Sequence, residues 1–383
     1  MVPNGWKLST IEEISSVSSG GTPSRKNESY WNGNIPWVTT AEVQFKIIED
    51  TAEKITEEGL ANSSAKLFPV DTILIAMYGQ GKTRGQVAKL GIEASTNQAC
   101  AAIILKAGYH VDYYYQFLIS QYDNIREMAN SGGQENLSGG IVKSIKVPVP
   151  PLPEQKKIAK ILSTWDKAIS TTEKLIATSQ QQKKALMQQL LTGKKRLVNP
   201  ETGKAFEGEW EEVPLSNWLV EFKEKSSVQD QHRVYTSSRS GLVPQDEYFG
   251  NSRISDRKNI GFHILPPGHM TYRSRSDDGY FTFNLFKGNE NGIISHYYPV
   301  FTSKGSNDFF IALLEQYRNV FGKHSVGTSQ KVLSFNALKA IRFFVPSTYE
   351  QQKIASVLTA ADKEIELLQA KLAHLKDEKK ALM

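Results

Sequence analysis

Met77-Tyr78-Gly79-Gln80-Gly81-Lys82-Thr83 sets Gly-Lys-Thr at the end of an apolar run, where a tight turn could cradle a phosphate. A nucleotide-binding loop of that type needs a further glycine at position 76, which is alanine. It also needs a helix to follow, and Arg84-Gly85-Gln86-Val87 reads as turn and strand. Another chemistry fits better. A glycine-rich basic turn at a strand end presents backbone amides and long side chains to nucleic acid. Lys82 or Arg84 could then reach a phosphate or a base edge. For any single residue, a plain solvated hairpin remains an equal alternative.

Other polar clusters have the same character. Gly20-Gly21-Thr22-Pro23-Ser24-Arg25-Lys26 leads into Tyr30-Trp31, and Arg273-Ser274-Arg275 closes a strand-like run. Lys323-His324 and Gln330-Lys331 lie in the second half at a place where Gln134 lies in the first. Thr22, Arg25, Tyr30, Gln134, Arg273, Ser274, Arg275, Lys323, His324, Gln330 and Lys331 thus join Gln80, Lys82, Thr83 and Arg84 as candidate DNA contacts. Catalytic patterns are missing. The seven histidines are scattered, the single cysteine rules out a multi-cysteine metal site, and Asp277-Asp278 reads as a solvated turn. No Asn-Pro-Pro-aromatic stretch of the kind that holds a flipped base is present.

The elements that must position these clusters are written twice. Pro148 to Leu162 matches Phe344 to Leu358, with Pro150 over Pro346, Glu154-Gln155 over Glu350-Gln351 and Ile158-Ala159 over Ile354-Ala355. The register continues without a gap to Lys183-Lys184-Ala185-Leu186-Met187 and Lys379-Lys380-Ala381-Leu382-Met383. It also extends backwards through Ile145 and Ile341, Leu137 and Leu333, and Asp112 and Asp308. Each half opens near a tryptophan, Trp6 or Trp210.

Proline followed by acid marks a helix start, and no proline intervenes between Pro153 and Pro200. In the second copy, apolar residues at Ile354, Leu358, Ala361, Ile365, Leu368, Leu372 and Leu375 alternate steps of four and three, a coiled-coil seam that Lys379 interrupts. Ser179 and Lys183 interrupt the first copy. The spacing predicts an α+β domain over 1–153, a long helix over 154–192, a linker over 193–209, a second α+β domain over 210–349 and a second long helix over 350–383. Short buried strands are expected at Thr72–Met77 and Cys100–Leu105, and aromatic-rich helices at Asp112–Met128 and Asn307–Val320.

The net charge of +6 favours nucleic acid without proving it, since residues 1–153 are slightly acidic and any DNA surface there must be local. No apolar run approaches membrane-spanning length, and the opening residues do not read as a signal peptide. With one cysteine, this fits a reducing, cytoplasmic setting and no membrane partner.

The chain resembles the specificity subunits of type I restriction-modification systems. The resemblance rests on Gly-Gly-Thr-Pro-Ser at 20–24, Tyr-Trp-x-Gly-x-Ile-Pro-Trp at 30–37, Tyr-Gly-x-Gly-x-Thr-Arg-Gly at 78–85, Thr-Asn-Gln-Ala at 96–99 and Pro-Pro-Leu-Pro-Glu-Gln-x-x-Ile at 150–158. It implies two target-recognition domains, each reading half of a bipartite site in double-stranded DNA, held apart by two antiparallel helices. It further implies that this chain is not an enzyme and binds no cofactor. Methyltransferase subunits would use S-adenosylmethionine, and a restriction and translocation subunit would use ATP and Mg. The second half departs from the pattern: Met270 to Arg275 stands where the glycine-rich motif would be, and its repeat stops at Met383. A single-chain restriction and methylation enzyme and a purely protein-binding coiled-coil adaptor remain the rival readings.

Overall fold

The computed structural model describes residues 2–79, 82–130, 136–238, 241–249 and 258–383. The chain forms two compact units, residues 1–173 with 371–383 and residues 174–370.

Unit 1 is built on a five-stranded sheet. Its strands are β1 (Ser15–Ser19), β2 (Ile47–Ile48), β3 (Ile73–Ala76), β4 (Val87–Leu90) and β5 (Cys100–Leu105), in the order β1-β5-β3-β4-β2. Both faces of the central strands are covered, which is why they read as unbroken apolar runs. Ile73, Ile75, Ala101 and Ile103 pack with Tyr114 and Leu118 of helix α1 (Val111–Ser120). Leu74, Ala76, Cys100 and Ala102 fill a second cluster on the opposite face with Val38 and Phe68. Burial pushes the Cys100 thiol up to about 12, consistent with a small core residue.

Unit 2 repeats the plan. Strands β6 (Leu219–Phe222), β7 (Met270–Tyr272), β8 (Arg275–Ser276), β9 (Phe283–Leu285), β10 (Val300–Ser303) and β11 (Lys331–Val332) include a four-stranded sheet ordered β6-β10-β7-β9. Phe309, Phe310, Leu313 and Leu314 of helix α3 (Asn307–Gln316) pack on Met270, Tyr272 and Phe301. The expected aromatic-rich helices are each broken, at Gln121 and at Tyr317. These are matching positions of the repeat.

Two long helices complete the set: α2 (Leu152–Leu190) and α4 (Thr348–Leu382). Each starts two residues before the expected glutamate. In the first, Pro153 occupies the opening turn, where its missing N–H costs nothing. Within unit 1, Lys379 Nζ lies 2.6 Å from Asp166 and Lys376 Nζ lies 2.8 Å from Glu173. Within unit 2, Lys183 pairs with Asp362, and Ser179 Oγ donates to Glu364 at 3.3 Å. In each unit the numbering rises on one segment as it falls on the other, so the paired segments run antiparallel. The lysines that interrupt the apolar seam thus have partners, and the Lys379–Asp166 and Lys183–Asp362 pairs are repeat-related images of each other. Among the described residues no helix is long and apolar enough to cross a membrane.

The repeated Pro-to-Glu-Gln stretch is a buried joint. Gln155 and Gln351 are 1% and 0% exposed. The Gln155 amide donates to Pro150 O at 2.8 Å and accepts from His110 N–H at 2.8 Å, just ahead of α1. Gln351 donates to Pro346 O at 2.9 Å and accepts from Ser306 N–H at 3.2 Å, just ahead of α3. The neighbouring glutamates receive the two tryptophans: Trp6 Nε1 donates to Glu154 at 2.8 Å and Trp210 Nε1 to Glu350 at 3.3 Å. Glu350 is also held by both arms of Arg196, at 2.7 Å each. In each half the strand after the tryptophan pairs antiparallel with the strand before the long helix, Lys7 opposite Val149 and Glu211 opposite Val345.

Candidate nucleic-acid interface

In unit 1 the glycine-rich turn, residues 77–86, joins the antiparallel strands β3 and β4. Gly85 N–H donates to Ala76 O at 2.8 Å and Ala76 N–H to Gln86 O at 3.0 Å, closing the hairpin at the strand ends. Gly79 and Gly85 have φ of +141° and +83°. A Cβ on Gly85 would also meet the Arg126 side chain at 3.0 Å, so glycine is required there. Tyr122 Oη donates to Lys82 O at 2.5 Å and accepts from Arg126 at 2.6 Å, while Phe45 packs edge-on against the Tyr122 ring. The backbone at Lys82 is therefore anchored while its side chain is exposed; Thr83 and Arg84 are half-buried. Gln80 and Gln134 lie outside the described residues.

Beside this turn, Ser18, Ser19, Tyr78, Gln98 and Lys143 line a concavity of about 390 Å3. Thr22 joins the set by donating its hydroxyl to Gln98 Oε1. The sequence shows Gln98 only as part of Thr-Asn-Gln-Ala and marks neither it nor Tyr78 nor Lys143 as a contact. The signal for Gln98 was its place in a turn just before β5. Arg25 and Tyr30 stand elsewhere, against the strand Trp31–Val38. Arg25 forms a two-armed pair with Glu53, the second arm at 2.8 Å, and its guanidinium lies 3.7 Å from the Trp31 ring centroid. Beside Arg25, the Glu53 carboxyl is held below its ordinary value. Tyr30 is half-buried and its carbonyl accepts from Thr56 N–H at 3.0 Å.

In unit 2 the segment 273–282 joins β7 to β9, as 77–86 joins β3 to β4, and the two loops have equal length. Met270 to Arg275 therefore leaves the sheet where the first half has its glycine motif. Here the loop carries β8, which pairs antiparallel with β11, Arg275 opposite Val332 and Ser276 opposite Lys331. Val326 and Val332 exchange two backbone hydrogen bonds at 3.0 and 2.8 Å, so residues 326–332 form a tight hairpin bearing Gln330 and Lys331. Gly279 packs on Gly322 at the start of the turn that carries exposed Lys323 and His324. The fold thus brings together Arg273, Ser274, Arg275, Gln330 and Lys331, which are distant in sequence, with Lys323 and His324 leading into the same hairpin. Ser274 Oγ donates to Tyr297 O at 2.6 Å, Arg275 lies 4.8 Å from the Tyr297 ring centroid, and Gln330 Nε2 donates to Asp277 at 3.2 Å. Ser237, Tyr248, Arg273, Arg275, Asp277 and Tyr280 line a pocket of about 570 Å3.

A shared backbone bond ties the loops to the repeat. Leu137 N–H donates to Met77 O at 3.0 Å, and its counterpart Leu333 donates to Ser274 O at 2.9 Å. In unit 2 the residues just before that leucine, Gln330 and Lys331, lie against the loop through the pairing of β8 with β11.

Comparison with known proteins agrees with this two-part construction. The model of the type I restriction modification DNA specificity domain matches twice, over residues 3–178 and 222–377. The chain is 33% identical over 180 residues to the type I restriction enzyme MjaIX specificity subunit of Methanocaldococcus jannaschii, a match covering 45% of this chain and 40% of that protein. It is 23% identical over 420 residues to the MjaVIII specificity subunit of the same organism, covering 100% of this chain and 92% of the other. In fold it resembles the crystal structure of the type I restriction-modification S subunit from M. genitalium, with a TM-score of 0.60 at 15% identity, covering 100% of this chain and 96% of that one. With both halves matched, this chain belongs to the type I restriction-modification DNA specificity family.

Proposed function

We propose that this chain is the DNA-reading subunit of a type I restriction-modification complex. Each unit reads one half of a bipartite target in double-stranded DNA. The chain carries no chemistry of its own: partner methyltransferase subunits methylate adenine N6 from S-adenosylmethionine, and a restriction subunit uses ATP and Mg. The observation that carries this reading is one scaffold present twice, with loops of equal length but different side chains at the same exit from the sheet. Such a duplicated scaffold suits two short blocks of sequence, each recognised through its own base contacts, while exposed lysines supply phosphate contacts.

The test is an adenine-methylation map from cells that produce the full chain with its methyltransferase partner. A motif of two short blocks separated by an unread gap is expected. Replacing residues 1–145 by the equivalent region of a relative should change one block and keep the other. If both blocks changed together, or if the rigorously pure chain transferred methyl groups by itself, the reading would be wrong.

A further inference from the structure

Residues 273–277 form a row of alternating side chains around β8. Arg273, Arg275 and Asp277 are exposed and line the unit 2 pocket, whereas Ser274 is half-buried and Ser276 is buried. Only Arg275–Ser276 is strand and the chain bends at Ser274 and Asp277, yet the alternation brings the three charges to one pocket. The inward serines pin the segment: Ser274 Oγ bonds Tyr297 O, and Ser276 Oγ donates to Asp278 at 2.8 Å.

Of the other described arginines of unit 2, Arg196, Arg233 and Arg318 pair with a carboxylate and Arg342 donates to the backbone carbonyl of Glu212. Among the described residues neither Arg273 nor Arg275 pairs with a carboxylate. The Arg275 guanidinium lies 4.8 Å from the centroid of the Tyr297 ring, within cation–π range. Asp277 lies in the same pocket and accepts from Gln330 through Oδ1, and among the described residues no donor reaches Oδ2.

A phosphate offers acceptors only and would be repelled by Asp277. A ligand edge that suits both groups must present acceptors to Arg275 and a donor to Asp277. The major-groove edge of a G·C pair does this: guanine O6 and N7 accept from an arginine fork, and the cytosine N4 amino group donates to a carboxylate. On this ground, and resting on the DNA-reading function proposed above, we infer that Arg275 and Asp277 together specify one G·C base pair in the half-site read by unit 2.

The experiment uses the full chain assembled with its methyltransferase partner. The half-site of unit 2 is the block that survives exchange of residues 1–145. Arg275→Lys keeps the charge but loses the fork, and Asp277→Asn keeps the shape but adds a donor. Both variants should relax the same single position of that block, with preference for G·C falling about tenfold to a hundredfold, and should leave the other block unchanged. With the unmodified complex, replacing guanine by 7-deazaguanine at that position, which removes the N7 acceptor, should weaken binding by a similar factor. Arg275→Lys should be indifferent to the same replacement.

Even weakening across all sequences in Arg275→Lys would make Arg275 a phosphate contact and overturn the inference. So would relaxation at two different positions, or a block in which no guanine N7 matters. The 7-deazaguanine measurement needs no variant, so a misfolded substitution leaves the inference testable. If the unmodified complex methylates no two-block motif, the function itself fails and this inference falls with it. If the motif is intact but lacks such a G·C pair, only the inference fails.

Discussion

The loop at 77–86 and the loop at 273–282 leave their sheets between corresponding strands and have equal length, yet their chemistry is unrelated. The first is a glycine-rich hairpin held from behind by Tyr122 and Arg126. The second is a bent segment whose two-residue strand borrows a partner from residues 331–332. The joints at the base of each long helix show the opposite relationship. There the two halves match bond for bond at Gln155 and Gln351. The scaffold positions are constrained by buried hydrogen bonds that one substitution would orphan. The loop positions face outward and are free to differ, which two different half-sites would require.

The comparison is tested most severely where the joints themselves differ. Glu350 is buried and satisfied by Arg196 and Trp210, whereas Glu154 is exposed and, among the described residues, receives Trp6 alone. Glu350→Ala strands Arg196 and should cost about 3–5 kcal/mol, read as a fall in thermal midpoint or urea midpoint of the full chain. Glu154→Ala should cost a small fraction of that. Equal losses would mean that the extra arginine contributes nothing.

At the matched glutamines the two halves should respond alike. Gln155→Ala and Gln351→Ala each leave a buried amide N–H and a carbonyl unpaired, at about 1–3 kcal/mol apiece by denaturant titration. A loss in only one variant would show that the repeated geometry hides unequal energetics.

In the first loop the effects belong to binding. Arg84→Ala should lower discrimination at one position by about 1–3 kcal/mol, while Lys82→Ala should weaken binding evenly and flatten its salt dependence. Unchanged methylation in both would make the glycine turn purely structural and break its equivalence with the second loop.

The smallest effect concerns Arg25 and Glu53. The guanidinium holds the Glu53 carboxyl below its ordinary value, so the stabilisation is present above that value and is lost as the pH falls through the lowered one. The thermal midpoint of Glu53→Gln should therefore fall less steeply than that of the unmodified chain on acidification below about pH 5. Parallel acid limbs would show that this pair adds nothing to stability.

Much of the architecture is legible in the sequence because the duplication is written in residues of special chemistry. Proline, the Glu-Gln pair and Lys-Lys recur at one offset, so the long helices and the domains they follow can be placed without a structure. The lysines at 183 and 379 read as defects in the seam because their aspartate partners are far along the chain. Arg25 reads as a DNA contact for a similar reason: its neighbours in sequence are polar, and nothing near it announces Glu53 or the Trp31 ring. The site in unit 2 was only half legible. Arg273 and Arg275 stand out as charge, but Asp277 reads as part of a solvated turn until β8 pairs with β11 and the pocket closes around it. Long-range pairing of two-residue strands leaves almost no periodic signal.

The glutamine joint also has a mechanical consequence. Each amide grips backbone at two points, one before the helix and one at the entrance to the aromatic helix, so the first turn of the long helix has no swivel. Torque applied along α2 is delivered to the sheet of unit 1 instead of being dissipated at a hinge. The angular phase of the helix then sets the direction in which the reading loop faces. One residue inserted just beyond Gln155 would turn everything downstream by about 100°, whereas seven would return it close to its starting phase.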